Sequence, residues 1–395
     1  MNNLKAVVAG HICLDLIPDL SSLKNTEDDR FIIPGRLLRI GPASVALGGA
    51  VANTGIALAR LGTEVTLMGK IGDDLLGETI LSALHAQGMS RLDYQTGMIH
   101  APGETSSYTV VLSPPNTDRC FLHCSGANDT FSPADLDTTQ FEGVKLLHFG
   151  YPTLMREIYS APKAFSEKLA EIRAKGTLIS LDVTMPDPNG PEGKVDWRRW
   201  FELVLPNVDI FLPSLEETLF MLNRPLFEEM MRRLHRAVPA PGESLNPANF
   251  IEFREIDELA DDLLSFGVEV AGIKLGDQGI YLRTSASPSR VTEHMTQNVA
   301  PQWQERKLLA ACYEVPVAGT TGSGDCTIAG FLTALLRGWT PKEALRFAAA
   351  VGACNVQKAD ATSGIPALEE VLERAKMWEF KENRLRPEEV GGELA

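Results

Sequence analysis

The chain has 395 residues, 44% of them hydrophobic, with a formal net charge of -15 and a pI near 5. That length and composition are enough for a large core. The acidic balance excludes a general phosphate-backbone surface, which needs clustered Lys and Arg. No segment reaches the ~18 uninterrupted apolar residues of a membrane-spanning helix, so neither nucleic acid nor membrane is an expected partner.

The opening stretch "MNNLKAVVAGHICLDLIP" has no basic leader and no signal-type cleavage site. The six cysteines (Cys13, Cys120, Cys124, Cys312, Cys326 and Cys354) form no C-x-x-C pair and no set with zinc spacing. Reduced cysteines in a cytoplasmic protein are the expectation.

"KAVVAG" reads as a buried first strand, "AVANTGIALARLG" as a helix closed by Gly62, and "EVTLMG" as the next strand. "DLLGETILSALHAQG" is again a helix ending in glycine. Further strands are expected at "KLLHFG", "TLISLDV", "VDIFLPS" and "VEVAGIKLG", with helices between them at 162–175 and 256–266. This alternation predicts an α/β fold, a mostly parallel sheet covered on both faces. Two regions, 13–47 and 94–128, lack long helical patterns. "TSSYTVVL" and "RCFLH" read there as strands of a small β-layer, joined through the turn-rich "SPPNTD". Stretches 223–252 and 284–313 look like insertions. The basic run Arg232, Arg233, His235, Arg236 reads as a solvated helix face.

"AGTTGSGDCTIAGF", 318–331, carries the clearest chemical signal. Ile328, Phe331, Leu332 and Leu335 share one helical face, Gly338 ends that helix, and Thr340, Pro341 and Glu343 open the next in capping-box spacing. Gly-Ser-Gly-Asp therefore sits at a helix N-terminus, where unpartnered amides and the dipole favour an anion. A Walker-type phosphate loop is excluded, because its spacing and its Lys-Ser/Thr pair are absent. Two readings stay open on the local pattern: Asp325 as an N-cap beside turn glycines, or an anion hole with a carboxylate that receives an acceptor's proton. A weak base suffices for the second, since in a loose phosphoryl-transfer transition state the attacking oxygen loses its proton late.

"GTTGSGDCTIAGF" resembles the C-terminal signature of the ribokinase-like (phosphofructokinase-B type) carbohydrate kinases. "GGAVANTGIALARLGTEVTLMGKIGDDLLG", 48–77, resembles that family's first signature, and "GHICLDLIP" its opening strand with a sugar-contacting Asp. "RCFLHCSGAN" and "FLPSLEET" resemble later landmarks, so the likeness runs in order from about residue 5 to residue 375. It implies a ribokinase-like three-layer sandwich with a small β-sheet lid. One kinase domain would span 1–380, with lid segments near 13–47 and 94–128 and a C-terminal tail at 381–395. It implies transfer of the ATP γ-phosphoryl group to a hydroxyl of a sugar or sugar-like molecule, with Mg2+. Asp325 would be the base, and Gly322, Ser323 and Gly324 the anion hole. Asp15, Gly48, Gly49 and Asn53 would hold the substrate. Thr320, Thr321, Lys274 and Gly276 would contact the nucleotide, and Glu217 would help place the metal.

Three departures from the family pattern stand out. Ser214 replaces the Asn of an Asn-x-x-Glu motif, with a shorter reach toward the metal. Gly319 replaces an Asp that helps bind a monovalent cation in relatives, so potassium activation is expected to be weak or absent. The 284–315 stretch, with Trp303, Arg306, Lys307 and Tyr313, either lines the nucleotide pocket or forms a surface hairpin.

A phosphorylated acceptor would call for cations, and Arg36, Arg39, Lys70 and Arg119 are scattered, so a neutral sugar is favoured. A nucleoside would need stacking, for which Phe31, Tyr108 and Phe121 are available. A nucleoside kinase and a non-catalytic sugar- or nucleotide-binding protein of the same fold are the alternatives. An open edge strand on the lid would favour a homodimer.

Overall fold

The computed structural model describes residues 4–23, 34–35, 37–113, 120–238 and 245–395. In chain order the strands are β1 (Lys5–Gly10), β2 (Cys13–Pro18), β3 (Ala43–Gly48), β4 (Glu64–Gly72), β5 (Leu92–Asp93), β6 (Met98–Ala101), β7 (Tyr108–Leu112) and β8 (Cys120–Cys124). They continue as β9 (Leu146–Gly150), β10 (Leu178–Asp182), β11 (Ile210–Phe211), β12 (Val270–Lys274), β13 (Ile280–Thr284), β14 (Lys307–Ala310) and β15 (Glu393–Leu394).

Among the described residues the main sheet runs β15-β14-β13-β12-β11-β10-β9-β1-β4-β5, with β6 also on β4. It is parallel except where β13 pairs antiparallel with β12 and β14. After the exposed Lys5, β1 is apolar from Ala6 on because it is buried on both faces. Ala6 and Val8 enter one core with helices Ala50–Arg60, Ser323–Leu336 and Pro341–Val356. Val7 and Ala9 enter the other, with helices Pro162–Arg173, Trp197–Val204, Leu215–Leu222 and Phe253–Ser265. These are the three layers expected from the sequence.

A separate sheet, β3-β2-β7-β8, forms the lid. The expected second lid segment, near 94–128, is split: β6 joins the main sheet beside β4, and only β7 and β8 reach the lid. Residues 381–395, read as a tail, carry β15, which pairs in parallel with β14. The 284–315 stretch is neither a pocket wall nor a surface hairpin at its tryptophan. Trp303 is fully buried against Phe331, and its Nε1 donates to the Trp339 carbonyl (3.1 Å). Arg232 and Arg233 lie exposed on helix Arg224–Arg236 beside Glu229, as a solvated face should. No helix among the described residues is long and apolar enough to cross a membrane. The six cysteines form no disulfide.

Candidate active site

The C-terminal ends of β1, β9, β10 and β12 meet the N-termini of helices Ala50–Arg60 and Ser323–Leu336. Crevices of parallel sheets open at this end. Gly322, at φ 69, is the helix N-cap and offers no side-chain cap bond. A left-handed residue here turns the chain into the helix, and a Cβ would press on Ala361 at 2.7 Å. Asp325 does not serve as the N-cap. Its buried carboxylate accepts from Asn53 Nδ2 (2.9 Å) and from the Tyr151 phenol, 2.9 Å from each oxygen. Burial pushes its pKa up; the Asn53 bond, the Lys274 charge and the Tyr151 bond oppose that.

Of the three amides expected at the anion hole, that of Ser323 turns back to the Thr320 carbonyl at 3.2 Å. Gly324 lies open toward Lys274, whose Nζ would be 3.6 Å from a Cβ there. The loop following Pro341–Val356 is fastened to this turn. The Ala361 carbonyl accepts from Cys326 Sγ (3.2 Å) and Asn355 Nδ2 (2.6 Å), and Arg60 donates to the Thr362 carbonyl. Gly319 packs on the same loop, and a Cβ there would sit 3.0 Å from Ala359 Cα and O. A side chain does not fit at 319 without moving that backbone.

Lys274 ends β12 and forms an ion pair with Asp182 at the end of β10 (2.8 Å), both nearly withdrawn from solvent. Burial pushes Asp182 well up, and the Lys274 charge pulls against it. Burial lowers Lys274, but Asp182 and Glu217 outweigh that and hold it protonated. Glu217 is raised by burial, and its Oε2 closes a capping box on the Ser214 amide (2.7 Å). Ser214 thus keeps a cap that ties down one oxygen of the glutamate. Thr320 and Thr321 precede the helix at the open side of the turn, and Gly276 is exposed just after β12. Among the described residues no group of three or more His, Cys, Asp or Glu could hold a metal by itself. Mg2+ carried on a nucleotide's phosphates needs only one or two protein carboxylates, and the donor set fits that demand.

The lid supplies the other wall. Strand register places Asp15, Thr109 and His123 in one row across β2, β7 and β8. Asp15 is buried with its carboxylate against Gly48, where a Cβ would approach within 2.6 Å; Gly49, at φ 84, lies against His11. Thr109 Oγ1 meets His123 Nδ1 at 3.0 Å, and His123 Nε2 meets His11 Nε2 at 3.3 Å. Burial lowers His11 well below its usual value and His123 to about 4, so both are neutral. Burial raises Asp15. His11 Nδ1, Asn53 Oδ1 and Asp182 Oδ2 are buried with no hydrogen-bond partner among the described residues. Orphaned polar atoms are rare in folded proteins and mark where a polar ligand is expected.

The fold brings Asp325, Asn53 and Lys274 together around one centre, with Glu217 electrostatically coupled to it and Asp15 beside Gly48 and Gly49 at the lid. Tyr151, Asp182, His11 and His123 complete it and were not among the residues expected from sequence. Lys70 is withdrawn elsewhere, donating to the Thr130 carbonyl (2.9 Å), and is not a surface residue. Arg39 is exposed. Tyr108 alternates with Thr109, so it points to the lid face opposite the row of Asp15, Thr109 and His123. Phe31, Arg36 and Arg119 lie outside the described residues.

Comparison with known proteins identifies the family and the fold. The pattern of the pfkB family carbohydrate kinases matches residues 3–368. Fructokinase-2 of Solanum lycopersicum is 23% identical over 372 residues, covering 92% of this chain and 93% of that protein. The structure of Arabidopsis thaliana ribokinase complexed with ribose and ATP superposes with a TM-score of 0.68 at 20% identity, covering 94% of this chain and 99% of that one. A putative ribokinase II from E. coli in complex with ATP and Mg2+ does so at 0.64 and 20%, covering 95% and 99%. The chain belongs to the pfkB family of carbohydrate kinases.

Proposed function

We propose that this kinase transfers the γ-phosphoryl group of ATP to a hydroxyl of an uncharged sugar, with Asp325 as the base. The observation that carries the reading is Asp325 itself: a buried carboxylate in the first turn of a helix, oriented by two donors and facing a buried Lys274 across Gly324. Asp325 receives the acceptor's proton as the P–O bond forms. The Gly322 and Gly324 amides and the Lys274 ammonium stabilise charge on the moving phosphoryl group. Thr320, Thr321 and Gly276 are assigned to the nucleotide. Glu217 would hold Mg2+ through its free oxygen and water, and the metal would neutralise phosphate charge.

Asp15, Asn53 and the glycine floor of Gly48 and Gly49 suit a polyhydroxylated ligand. The neutral His11–His123 pair adds donors and acceptors without charge. Among the described residues Asp15, Asp182, Glu217 and Asp325 face one lysine, Lys274, and this balance disfavours a phosphorylated or carboxylated acceptor, which those carboxylates would repel. Among the described residues β3 and β8 are the edge strands of the lid, and the exposed Val45 and Leu122 on them support a homodimer through that sheet.

The test is ADP release, with Mg2+, across pentoses, hexoses, sugar acids, nucleosides and hexose phosphates. A neutral sugar should turn over, and Asp325→Asn should lose ~10²-fold or more with ATP binding kept. ATP binding with no turnover on any acceptor would refute the reading and favour a sensor. Turnover confined to nucleosides or sugar phosphates would refute the acceptor class.

A further inference from the structure

We propose that Tyr151 is a positioning residue for this reaction, its phenol orienting the Asp325 carboxylate between the acceptor hydroxyl and the helix N-terminus. The inference rests on the reading of Asp325 as the base.

Tyr151 follows β9 and stands before Pro152, a setting that favours extended backbone. It nevertheless holds φ 62, ψ 45, and among the described residues only Glu305 is another non-glycine at positive φ. Such a conformation persists when its surroundings over-determine it, and it concentrates at functional sites. Here the surroundings are identifiable. Its amide donates to the Asp182 carbonyl (3.2 Å), and its carbonyl accepts from Leu154 (3.0 Å), closing the turn Pro152–Leu154. Both bonds aim the ring inward, where it lies 6.0 Å from the His11 ring and bridges the two oxygens of Asp325.

A carboxylate offers about four lone-pair positions. Asn53 takes one on Oδ2, and the bridging phenol leaves room on Oδ1 for an incoming hydroxyl. The phenol stays a donor, because burial and the charges of Asp325, Asp182 and Glu217 raise its pKa well above the ordinary value. A donor to the carboxylate favours the ionised form that catalysis requires. The other groups facing Asp325 are the charges of Lys274 on β12, Asp182 on β10, Glu217 on Leu215–Leu222 and Asp15 on β2, and the thiols of Cys13 on β2 and Cys326 on its own helix. Tyr151→Phe leaves all of these in place and deletes one hydroxyl.

The experiment is the pH dependence of kcat/KM from pH 5 to 9 for wild type, Tyr151→Phe and Asp325→Asn, with thermal melting alongside. In Tyr151→Phe the acidic limb should move up by about one pH unit, the equivalent of one hydrogen bond to a charged group. Activity should return to within about threefold of wild type at the alkaline end, with KM for ATP unchanged. A superimposable limb, a uniform loss at every pH, or a gain in acceptor kcat/KM would overturn the proposal; the gain would mean that the phenol merely fills the acceptor's seat. Should Tyr151→Phe fail to fold, 3-fluorotyrosine at position 151 keeps the hydroxyl and makes it a stronger donor. The limb must then move down, and an unmoved limb overturns the proposal. Full turnover in Asp325→Asn would instead remove the base reading. A dead Asp325→Asn beside an unshifted Tyr151→Phe removes only the role of Tyr151.

Discussion

Lys274→Met tests the electrostatic core of the site through stability rather than turnover. Lys274 Nζ lies 2.8 Å from Asp182 Oδ1, and the side chains are 13% and 1% exposed. Removing one partner of a buried pair costs about 3–5 kcal/mol, because the remaining charge is left desolvated. The loss is compounded here by Glu217 and Asp325, which repel Asp182 and have Lys274 as their common counter-charge. The variant limits the damage by protonating Asp182. Burial already raises that pKa in the native fold, and loss of the cation raises it further. A group whose folded pKa is raised contributes stability below its unfolded value of ~4, and that stability is lost as pH climbs through the folded pKa. The gap between wild type and variant should therefore be widest near pH 8 and narrow toward pH 5. Urea unfolding followed by tryptophan fluorescence at several pH values measures it. Equal midpoints at pH 8, or a gap that does not change with pH, would refute the reasoning.

Further perturbations separate site from scaffold. Gly322→Ala forces a Cβ onto a residue at φ 69 and against Ala361; turnover should drop at least ~10-fold, with a stability loss of about 1–2 kcal/mol by thermal melting. Asp209, fully buried, accepts from Arg173 (2.9 Å), Arg290 (2.8 Å) and the Ile179 amide (2.8 Å), far from the chemistry. Asp209→Ala should cost about 3–5 kcal/mol in urea unfolding while leaving the KM values of surviving enzyme unchanged. Replacing sodium by potassium should alter kcat by less than about twofold, since Gly319 offers no carboxylate; a many-fold rise would contradict this. His123, held neutral by burial, should protonate only near pH 4 in an NMR titration. Its folded pKa is lowered, so the associated stability is present above its unfolded value of ~6.5 and is lost as pH falls toward 4.

Much of the architecture was legible from local pattern. The apolar run at β1 and the glycine-closed helix after it appear where the sequence places them, because burial on both faces and C-terminal glycines leave strong local marks. β5, β6 and β15 did not, since strands of two to four residues carry no usable periodicity. Trp303 sat in a stretch rich in polar residues, and its burial depends on Phe331 packing from a helix 28 positions on. At the site, Gly-Ser-Gly-Asp announced itself because a helix N-terminus restricts composition. Asn53 entered by resemblance. Tyr151 and Asp182 left no local trace: each matters through one contact, to Asp325 and to Lys274, from residues 174 and 92 positions away.

Those separations bear on how the enzyme comes into being. Asn53 and Asp325 are 272 positions apart, and β15 closes its edge of the sheet with residues 393–394. Loops of that span close late, after local helices and hairpins have formed. A nascent chain or an N-terminal fragment would hold the sugar-facing half without a base. On dilution from denaturant, helical signal should return first and phosphoryl transfer last, which makes turnover a clock for the final docking of the C-terminal third.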